Sequence, residues 1–372
     1  MSDRAFHRSQ AEMLPSRSAP AGQTGALGWM RANLFSSPLN ILLTLFSLFL
    51  LWSIIPAVLD WAFFDAEFVG SSRDDCVGGA GGACWAWVDQ RIDQFVYGFY
   101  PAESRWRVNL AVLLLIPALV WGLVENVPGA RFGRWFALFY PLLAAVLLVG
   151  GLGLEEVTTD KFGGFMLNLV AGLAGIILSL PIGILLALGR RSKLPVVRVV
   201  SVTFIEVIRG VPLITLLFVA IVILNLFLPQ DVSLDQLVRV MIMITLFASA
   251  YIAEVIRGGL QAIPQGQYEA AQAMGLSYWK MMRLIILPQA LKISIPGIVN
   301  TFIGLFKDTT LVIIIGLFDI LGQARLLQTN PEWIGEVDHE TYVLASLFFF
   351  VICFSISRYS IGLEKRLDTS GR

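Results

Sequence analysis

The sequence predicts an all-α polytopic membrane protein with about eight transmembrane helices. Of its 372 residues, 56% are hydrophobic, only 15% are charged, and 25 are phenylalanine. Apolar runs of about 18 or more residues recur along the chain, and such runs are long enough to cross a bilayer as α-helices. They are too long and too uniformly apolar for the strands of a membrane barrel, whose residues alternate between polar and apolar.

The apolar runs predict eight spans, at 39–59, 108–124, 135–154, 165–188, within 199–228, and at 240–256, 293–321 and 342–361. The first three, in 39–154, are expected to be accessory helices around a polar loop at 60–106. The last five, in 165–361, are expected to form the core. The polar ends, 1–38 and 362–372, are expected to be tails, and the first is too polar for a signal peptide.

The distribution of positive charge orients the spans. Eight spans place both tails on one side, and 18 of the 27 Lys and Arg residues then lie on that side. Because cytoplasmic loops are enriched in Lys and Arg, both termini and the segment 264–288 are predicted to be cytoplasmic. The loop 60–106 is then outside the cell membrane. The formal net charge is zero, which gives no support to a nucleic-acid partner.

The segment 264–288, PQGQYEAAQAMGLSYWKMMRLIILP, is a polar and amphipathic interruption of the apolar sequence. Pro264 favours a helix start, and the residues that follow it are good helix formers. Gly275 suits a left-handed helix end, and Ser277 can cap a second helix that ends before Pro288. Two short helices joined at a glycine would form a rigid protrusion at the membrane surface.

This segment carries the pattern E-A-A-x3-G-x9-I-x-L-P, which resembles the cytoplasmic signature loop of the permease subunits of bacterial ABC importers. The resemblance implies a type I permease core in the last five spans and a loop that docks on a separate ATPase. The alternative is an ordinary helical hairpin with a solvated acid at position 269. The residues that match the pattern, and would couple to the ATPase, are Glu269, Ala270, Ala271, Gly275, Ile285, Leu287 and Pro288.

The pentapeptide Glu-Val-Ile-Arg-Gly occurs twice, at 206–210 and 254–258. Its Glu and Arg, three residues apart, share a helix face and can pair. The first copy either lies within the membrane, facing a protein interior or a water-filled path, or lies at the cytoplasmic surface if 211–228 alone spans. Both copies resemble permeases of the polar amino-acid uptake family. Glu206, Arg209 and Glu254 are therefore candidates for a translocation path.

Lys307, Asp308 and Thr309 lie near the middle of the seventh predicted span, and a break in the helix is expected there. Broken helices inside a membrane are tolerated only within protein or beside water. The charged pair could meet the two ends of a zwitterionic amino acid, or it could form an internal ion pair that locks the break. The surrounding stretch LFKDTTLVIIIG again resembles the amino-acid permeases.

Cys76 and Cys84 lie in the loop predicted to be outside, where oxidising conditions favour a disulfide, and glycines between them allow it to close. Cys353 lies in the last span and is expected to be inert. The loop continues as CWAWVDQRIDQFVYGFYPAESRWRVN, which resembles one subgroup, the M-type permease of the general L-amino-acid ABC importer. With it the resemblance extends over nearly the whole chain.

The sequence has no cluster with metal-ligand spacing, no nucleophile with a base and no G-x-x-x-x-G-K-[S/T] loop, so no cofactor, metal or P-loop ATP site is expected in this chain. The resemblance implies that ATP and Mg bind a partner ATPase dimer. It also implies a second homologous permease, a periplasmic amino-acid-binding protein, the lipid bilayer of the bacterial inner membrane, and import of L-amino acids by alternating access. The alternative is an ion-gradient-driven secondary transporter, which needs no docking loop.

Overall fold

The computed structural model describes residues 25–77, 81–124, 127–223 and 234–367. Contacts divide the chain into two units, one made of 1–66 and 79–83 and the other of 67–78 and 84–372. Most of the predicted N-terminal tail and the last five residues of the C-terminal tail lie outside the described residues. The end of the fifth predicted span, in 224–233, also lies outside them.

The first unit consists of α1 (Gly25–Asn33) and α2 (Pro38–Leu59). The Ser37 hydroxyl accepts a bond of 3.2 Å from the Asn40 N–H and so caps α2, while Pro38 occupies its first turn. A π-helical turn at Asp60–Phe64 extends α2 to a 27-residue apolar helix, long enough to cross a bilayer. No residue of α2 is buried, so its apolar side chains are available to lipid.

The second unit is a helical bundle. Its helices are α3 (Ala86–Tyr97), α4 (Arg105–Leu123), α5 (Ala130–Val149), α6 (Gly164–Arg190), α7 (Pro195–Gly210), α8 (Leu213–Phe218), α9 (Gln236–Gln261), α10 (Gln265–Ala273), α11 (Tyr278–Met281), α12 (Leu287–Asp308), α13 (Ile320–Gln328) and α14 (Asp338–Leu367). Within the described ranges there is no β-strand, only isolated bridges.

Seven helical stretches of the described chain are long and apolar enough to cross a membrane. An eighth is obtained if α7 and α8 count as one span bent by 105° at Val211 and Pro212. The predicted all-α fold with about eight spans is therefore confirmed. Some helices extend beyond the apolar runs that predicted them, whereas α5 ends earlier, at Val149 rather than 154. Helix α14, for example, begins at Asp338 and runs through Leu367.

The core of the second unit is centred on the contact between α6 and α9, and α12 packs against α9 in turn. Glycines of α6 allow this close approach, because a Cβ at Gly175 or Gly183 would lie under 3 Å from an isoleucine methyl of α9. Small residues at helix contacts are typical of membrane bundles, in which close packing rather than water exclusion holds the helices together. The contact fixes the positions of the residues at the C-terminal ends of both helices.

The seventh span differs from its prediction. It is a continuous helical path over Tyr278–Ile315, not a helix over 293–321 broken at its centre. A π-helical turn at Met282–Ile286 widens the helix just before Pro288, which has no N–H and would otherwise clash with the carbonyl one turn earlier. At Thr309 the α-helix tightens to a 3₁₀-helix and then ends at Gly316, where φ is +86°.

Candidate functional site

Helix α10 is a short surface helix whose C-terminal end is fixed by Gly275. Gly275 has a φ of +73°, as the sequence predicts, and its N–H bonds to the Gln272 carbonyl at 2.9 Å. The next N–H, of Leu276, bonds to the Ala271 carbonyl at 3.2 Å. These two bonds form a Schellman motif, which ends the helix sharply and satisfies its last carbonyls. The direction of the chain after α10 therefore depends on the left-handed glycine.

The two faces of α10 differ in burial. Ala271 is fully buried and packs in an apolar cluster with Met281, Met282 and Ile286, which belong to the start of the seventh span. Glu269 and Ala270 are exposed on the other side. The small buried alanine allows close packing on the bundle, and the exposed acid is available to a partner. Helix α10 is thus attached on one side and open on the other.

Large apolar side chains flank this open side. Met274 and Trp279 are each 66% exposed, and Tyr278 between them is 48% exposed. Ser277 stands at the start of α11, as predicted, but its hydroxyl makes no capping bond. A surface with exposed aromatic and methionine side chains beside one acidic residue has the composition typical of a protein-binding surface.

The remaining residues of the signature pattern support this surface rather than extend it. Ile285 and Leu287 are half-buried, and Ile285 packs against the same cluster as Ala271. Pro288 is exposed and follows the π-helical turn. These residues set the geometry with which the protrusion leaves the seventh span.

Arg191 attaches α10 to the ends of two spans. It follows α6, and its Nη1 donates to the Tyr268 hydroxyl at 3.0 Å and to the Leu260 carbonyl at 3.1 Å. The guanidinium lies 5.6 Å from the centre of the Tyr268 ring, within range of a cation–π contact. The Tyr268 hydroxyl also donates to the Leu260 carbonyl, at 3.2 Å. This contact is absent from the sequence prediction, which used Arg191 only as a marker of the cytoplasmic side.

The two Glu-Val-Ile-Arg-Gly copies lie together in the structure, on α7 and α9. Glu254 is the centre of their charge cluster, and its Oε1 accepts from Arg257 Nη2 at 2.5 Å. Its Oε2 lies 3.5 Å from Arg190 and 3.8 Å from Arg209, ion-pair distances too long for good hydrogen bonds. Arg190 also donates to Glu206 at 2.8 Å. Three guanidinium groups thus share two carboxylates, leaving a net positive charge.

Sequence analysis identifies Glu206, Arg209 and Glu254 but not Arg190, which joins their helices. The available signal was its position, because Arg190 is the last residue of α6 and α7 begins five residues later. Arg209 also lies 5.5 Å from the centre of the Tyr251 ring. It is the last charged residue before the bend at Val211.

Lys307, Asp308 and Thr309 are consecutive but have different surroundings. Lys307 is exposed and Asp308 is half-buried. Thr309 is fully buried, and its hydroxyl donates to the Phe306 carbonyl at 2.7 Å and accepts from Asn168 at 2.9 Å. No ion pair between Lys307 and Asp308 occurs among the salt bridges of the described residues.

Asn168 connects Thr309 to a second buried polar residue, Asp319. The Asn168 Nδ2 donates to Asp319 Oδ2 at 3.0 Å, and the Asn168 Oδ1 accepts from the Ile320 N–H at 3.1 Å. Asp319 also caps α13 by accepting from the Gly322 N–H at 3.0 Å. Burial raises the pKa of Asp319 to about 6, although these hydrogen bonds favour the ionised form. The network fixes the starts of α6 and α13 against the end of the seventh span.

The structure joins Cys76 and Cys84 by a disulfide, with their Cα atoms 5.7 Å apart. The Cys84 N–H donates to the carboxylate of Glu340 at 3.2 Å, which attaches this loop to the start of α14. Trp87 and Trp333 are fully buried in an apolar cluster beside the disulfide. We call residues 67–77, 84–97 and 317–340 the cap. Within the described chain, no group of three or more His, Cys, Asp or Glu side chains could hold a metal ion.

Comparison with known proteins places this geometry in context. The profile of the family described as binding-protein-dependent transport system inner membrane component matches residues 179–369. The chain is 50% identical over 359 residues to the inner membrane amino-acid ABC transporter permease protein YhdY of Escherichia coli K12, across 95% of this chain and 96% of that protein.

The alignment with the glutamate/glutamine/aspartate/asparagine transport system permease protein BztC of Rhodobacter capsulatus covers both chains completely, at 43% identity. Among solved structures, one described as a crystal structure of an amino acid ABC transporter with histidines is 30% identical. The structural alignment covers 55% of this chain and 92% of that chain, with a TM-score of 0.49.

Proposed function

The chain belongs to the family of binding-protein-dependent transport system inner membrane components and is a permease subunit of an ABC importer, and on that premise we propose that it imports L-amino acids. It is a multi-pass protein of the inner membrane. The two relatives that align over nearly its whole length are named as permeases for amino acids, which supports this substrate class.

The observation that carries the proposal is the open side of α10. ATP hydrolysis resides in a partner subunit, since this sequence has no phosphate-binding loop to hold ATP and Mg. A partner ATPase would drive the permease through a rigid contact, and α10 offers Glu269 and Ala270 beside the exposed Met274 and Trp279. The occupant is an ATPase groove with an apolar floor and a cationic group facing Glu269. The distribution of Lys and Arg supports a cytoplasmic position for α10 and for both termini.

The exposed face of α12 supports a second permease as a further partner. Ile293, Pro296, Asn300 and Lys307 are all exposed, and their spacing puts them on one side of the helix. A lysine and an asparagine within a span would be energetically costly if this side of the helix faced lipid. This face therefore borders a translocation path shared with a homologous permease, in which Lys307 and Asp308 meet the substrate during alternating access.

The cap supports a place for the binding protein. It lies at the ends of α6 and α14 remote from α10, and its disulfide is stable only under oxidising conditions such as those of the periplasm. A periplasmic amino-acid-binding protein would deliver substrate at this end of the molecule.

Reconstitution tests the energy source. The permease is co-expressed with the proposed second permease and ATPase and placed in liposomes, and uptake of radiolabelled L-amino acids is measured with the purified binding protein. Uptake should require ATP on the α10 side and survive ionophores that abolish ion gradients. Uptake that persists without ATP and disappears with the ion gradient would instead establish a secondary transporter.

A further inference from the structure

Two adjacent arginines at the end of α6 contact different moving parts of the proposed transporter. Arg190 reaches Glu206 of α7 at 2.8 Å and Glu254 of α9 at 3.5 Å. Arg191 reaches Tyr268 of α10 at 3.0 Å. We propose that Arg190 and Arg191 form a relay that transmits displacement of α10 to the bend between α7 and α8. The inference rests on the proposed coupling of α10 to an ATPase.

The α10 end of the relay is a closed set of three contacts. Arg191 and the Tyr268 hydroxyl both donate to the Leu260 carbonyl, and Arg191 donates to Tyr268 as well. Tyr268 precedes Glu269, so a residue that helps to hold α10 to the bundle is next to the one proposed to face the ATPase. A pull on α10 therefore acts directly on the end of α6.

The other end of the relay is the charge cluster. Glu254 is held firmly by Arg257 but only loosely by Arg190 and Arg209, at 3.5 and 3.8 Å. A small shift of α6 can strengthen one of these two loose ion pairs and weaken the other. Elements with two discrete arrangements of this kind are what transmits coupling through a packed protein.

Arg209 connects this exchange of ion pairs at Glu254 to the bend between α7 and α8. It lies in the last turn of α7, and the chain turns by 105° between Gly210 and Leu213. Its guanidinium also rests on the Tyr251 ring, at 5.5 Å, so Arg209 is held even when its ion pair lengthens. Because the two halves of a bent span can move separately, a change at Arg209 alters the opening beside α8 without unfolding either helix.

The test measures amino acids imported per ATP hydrolysed in the reconstituted complex, for Arg191→Gln, Tyr268→Phe and the double variant. Each single variant should keep the ATPase bound and active while import per ATP falls about tenfold, the scale of one lost charge-assisted hydrogen bond. The double variant should be no worse than either single one, because the two residues act as one unit. Arg198→Gln, an exposed arginine of α7, is the matched control and should behave as wild type.

Arg190→Gln tests the second half and should reduce import per ATP to a similar extent. Wild-type stoichiometry in Arg190→Gln or Arg191→Gln, or additive losses in the double variant, would overturn the relay. Loss of the ATPase from Arg191→Gln would also overturn it, since Arg191 would then only support the docking surface. The proposal that α10 docks on an ATPase would be overturned by a different result. In that case, variants on the open side of α10 would import amino acids normally.

Discussion

Glu206 and Glu254, the first residues of the two pentapeptide copies, share Arg190 as an ion-pair partner, at 2.8 and 3.5 Å. The copies therefore do not form two separate sites. They bring α7 and α9 into one charge cluster at the end of α6, and each copy contributes a glutamate and an arginine to it. A partly buried cluster of this kind is costly to break by removing a single member, because the remaining charge loses its partner.

The first prediction concerns the disulfide. Cys76 and Cys84 should resist labelling by a thiol reagent in membranes prepared without reductant, because the structure places them in one covalent bond. Cys353, a free and half-buried cysteine, is the internal control and should label after denaturation. Replacing both loop cysteines by serine should lower stability by about 2–3 kcal/mol at most, since the closed loop is short. Labelling of both loop cysteines in native membranes would contradict the bond.

The second prediction concerns the charges near the end of α12. Lys307→Ala and Asp308→Ala should reduce amino-acid uptake about tenfold while leaving the amount of assembled complex unchanged, since charges within an apolar span are usually retained for function and these two form no ion pair within the described chain. Thr310→Val is the matched control, because the Thr310 hydroxyl donates to the Lys307 carbonyl, a local backbone contact that bears no charge. Wild-type uptake in both alanine variants would exclude the pair from the substrate path.

The third prediction concerns pH. The pKa of Asp319 is about 6 in the folded protein and 3.8 in an ordinary exposed setting. Between these values the folded state binds more protons than the unfolded state, so stability falls as pH rises from about 4 to 6 and then levels off. The shift is worth at most about 3 kcal/mol. Thermal unfolding of the purified protein should show this slope.

Asp319→Asn should remove the slope, even though it also lowers absolute stability by placing an amide opposite Asn168. Asp160→Asn changes an exposed aspartate and should leave the slope as in wild type. A slope that survives in Asp319→Asn would assign the pH dependence to other groups.

The sequence was a good guide to what depends on local composition. The apolar runs predicted the spans, and Gly275 predicted its own left-handed conformation, because only a residue without Cβ adopts φ near +73° at low cost. Pro288 was misleading, since a proline normally marks a boundary and here a π-helical turn absorbs it. Local propensity cannot show whether packing further along the chain will favour that adjustment.

The contacts that join distant parts of the chain could not be predicted in the same way. Arg190 and Glu254 are far apart in sequence, and their pairing depends on how α6 packs against α9 through Gly175 and Gly183. Thr309 is a candidate for the translocation path, and the structure places it in a buried hydrogen-bond network with Asn168. Neither placement follows from the residue types alone, because each results from helix packing.

The fourth prediction concerns the open side of α10. Gly275→Val should cost roughly 1–2 kcal/mol through backbone strain alone, since nothing lies within 4 Å of the added Cβ. It should tilt α10 away from the ATPase groove. Glu269→Lys should reverse the charge at the same contact. Both changes lie outside the spans, so the permease should still insert, while the ATPase is lost on co-purification or its hydrolysis no longer drives uptake.

The controls separate these effects from general damage. Gly258→Val makes the same substitution at a helical glycine with equally open surroundings, and Gln267→Lys adds a charge on the opposite side of α10. Both should retain the ATPase and import amino acids. If Gly275→Val and Glu269→Lys also did so, α10 would not be the coupling element, because neither its conformation nor its exposed charge would matter to the partner that is proposed to hold it.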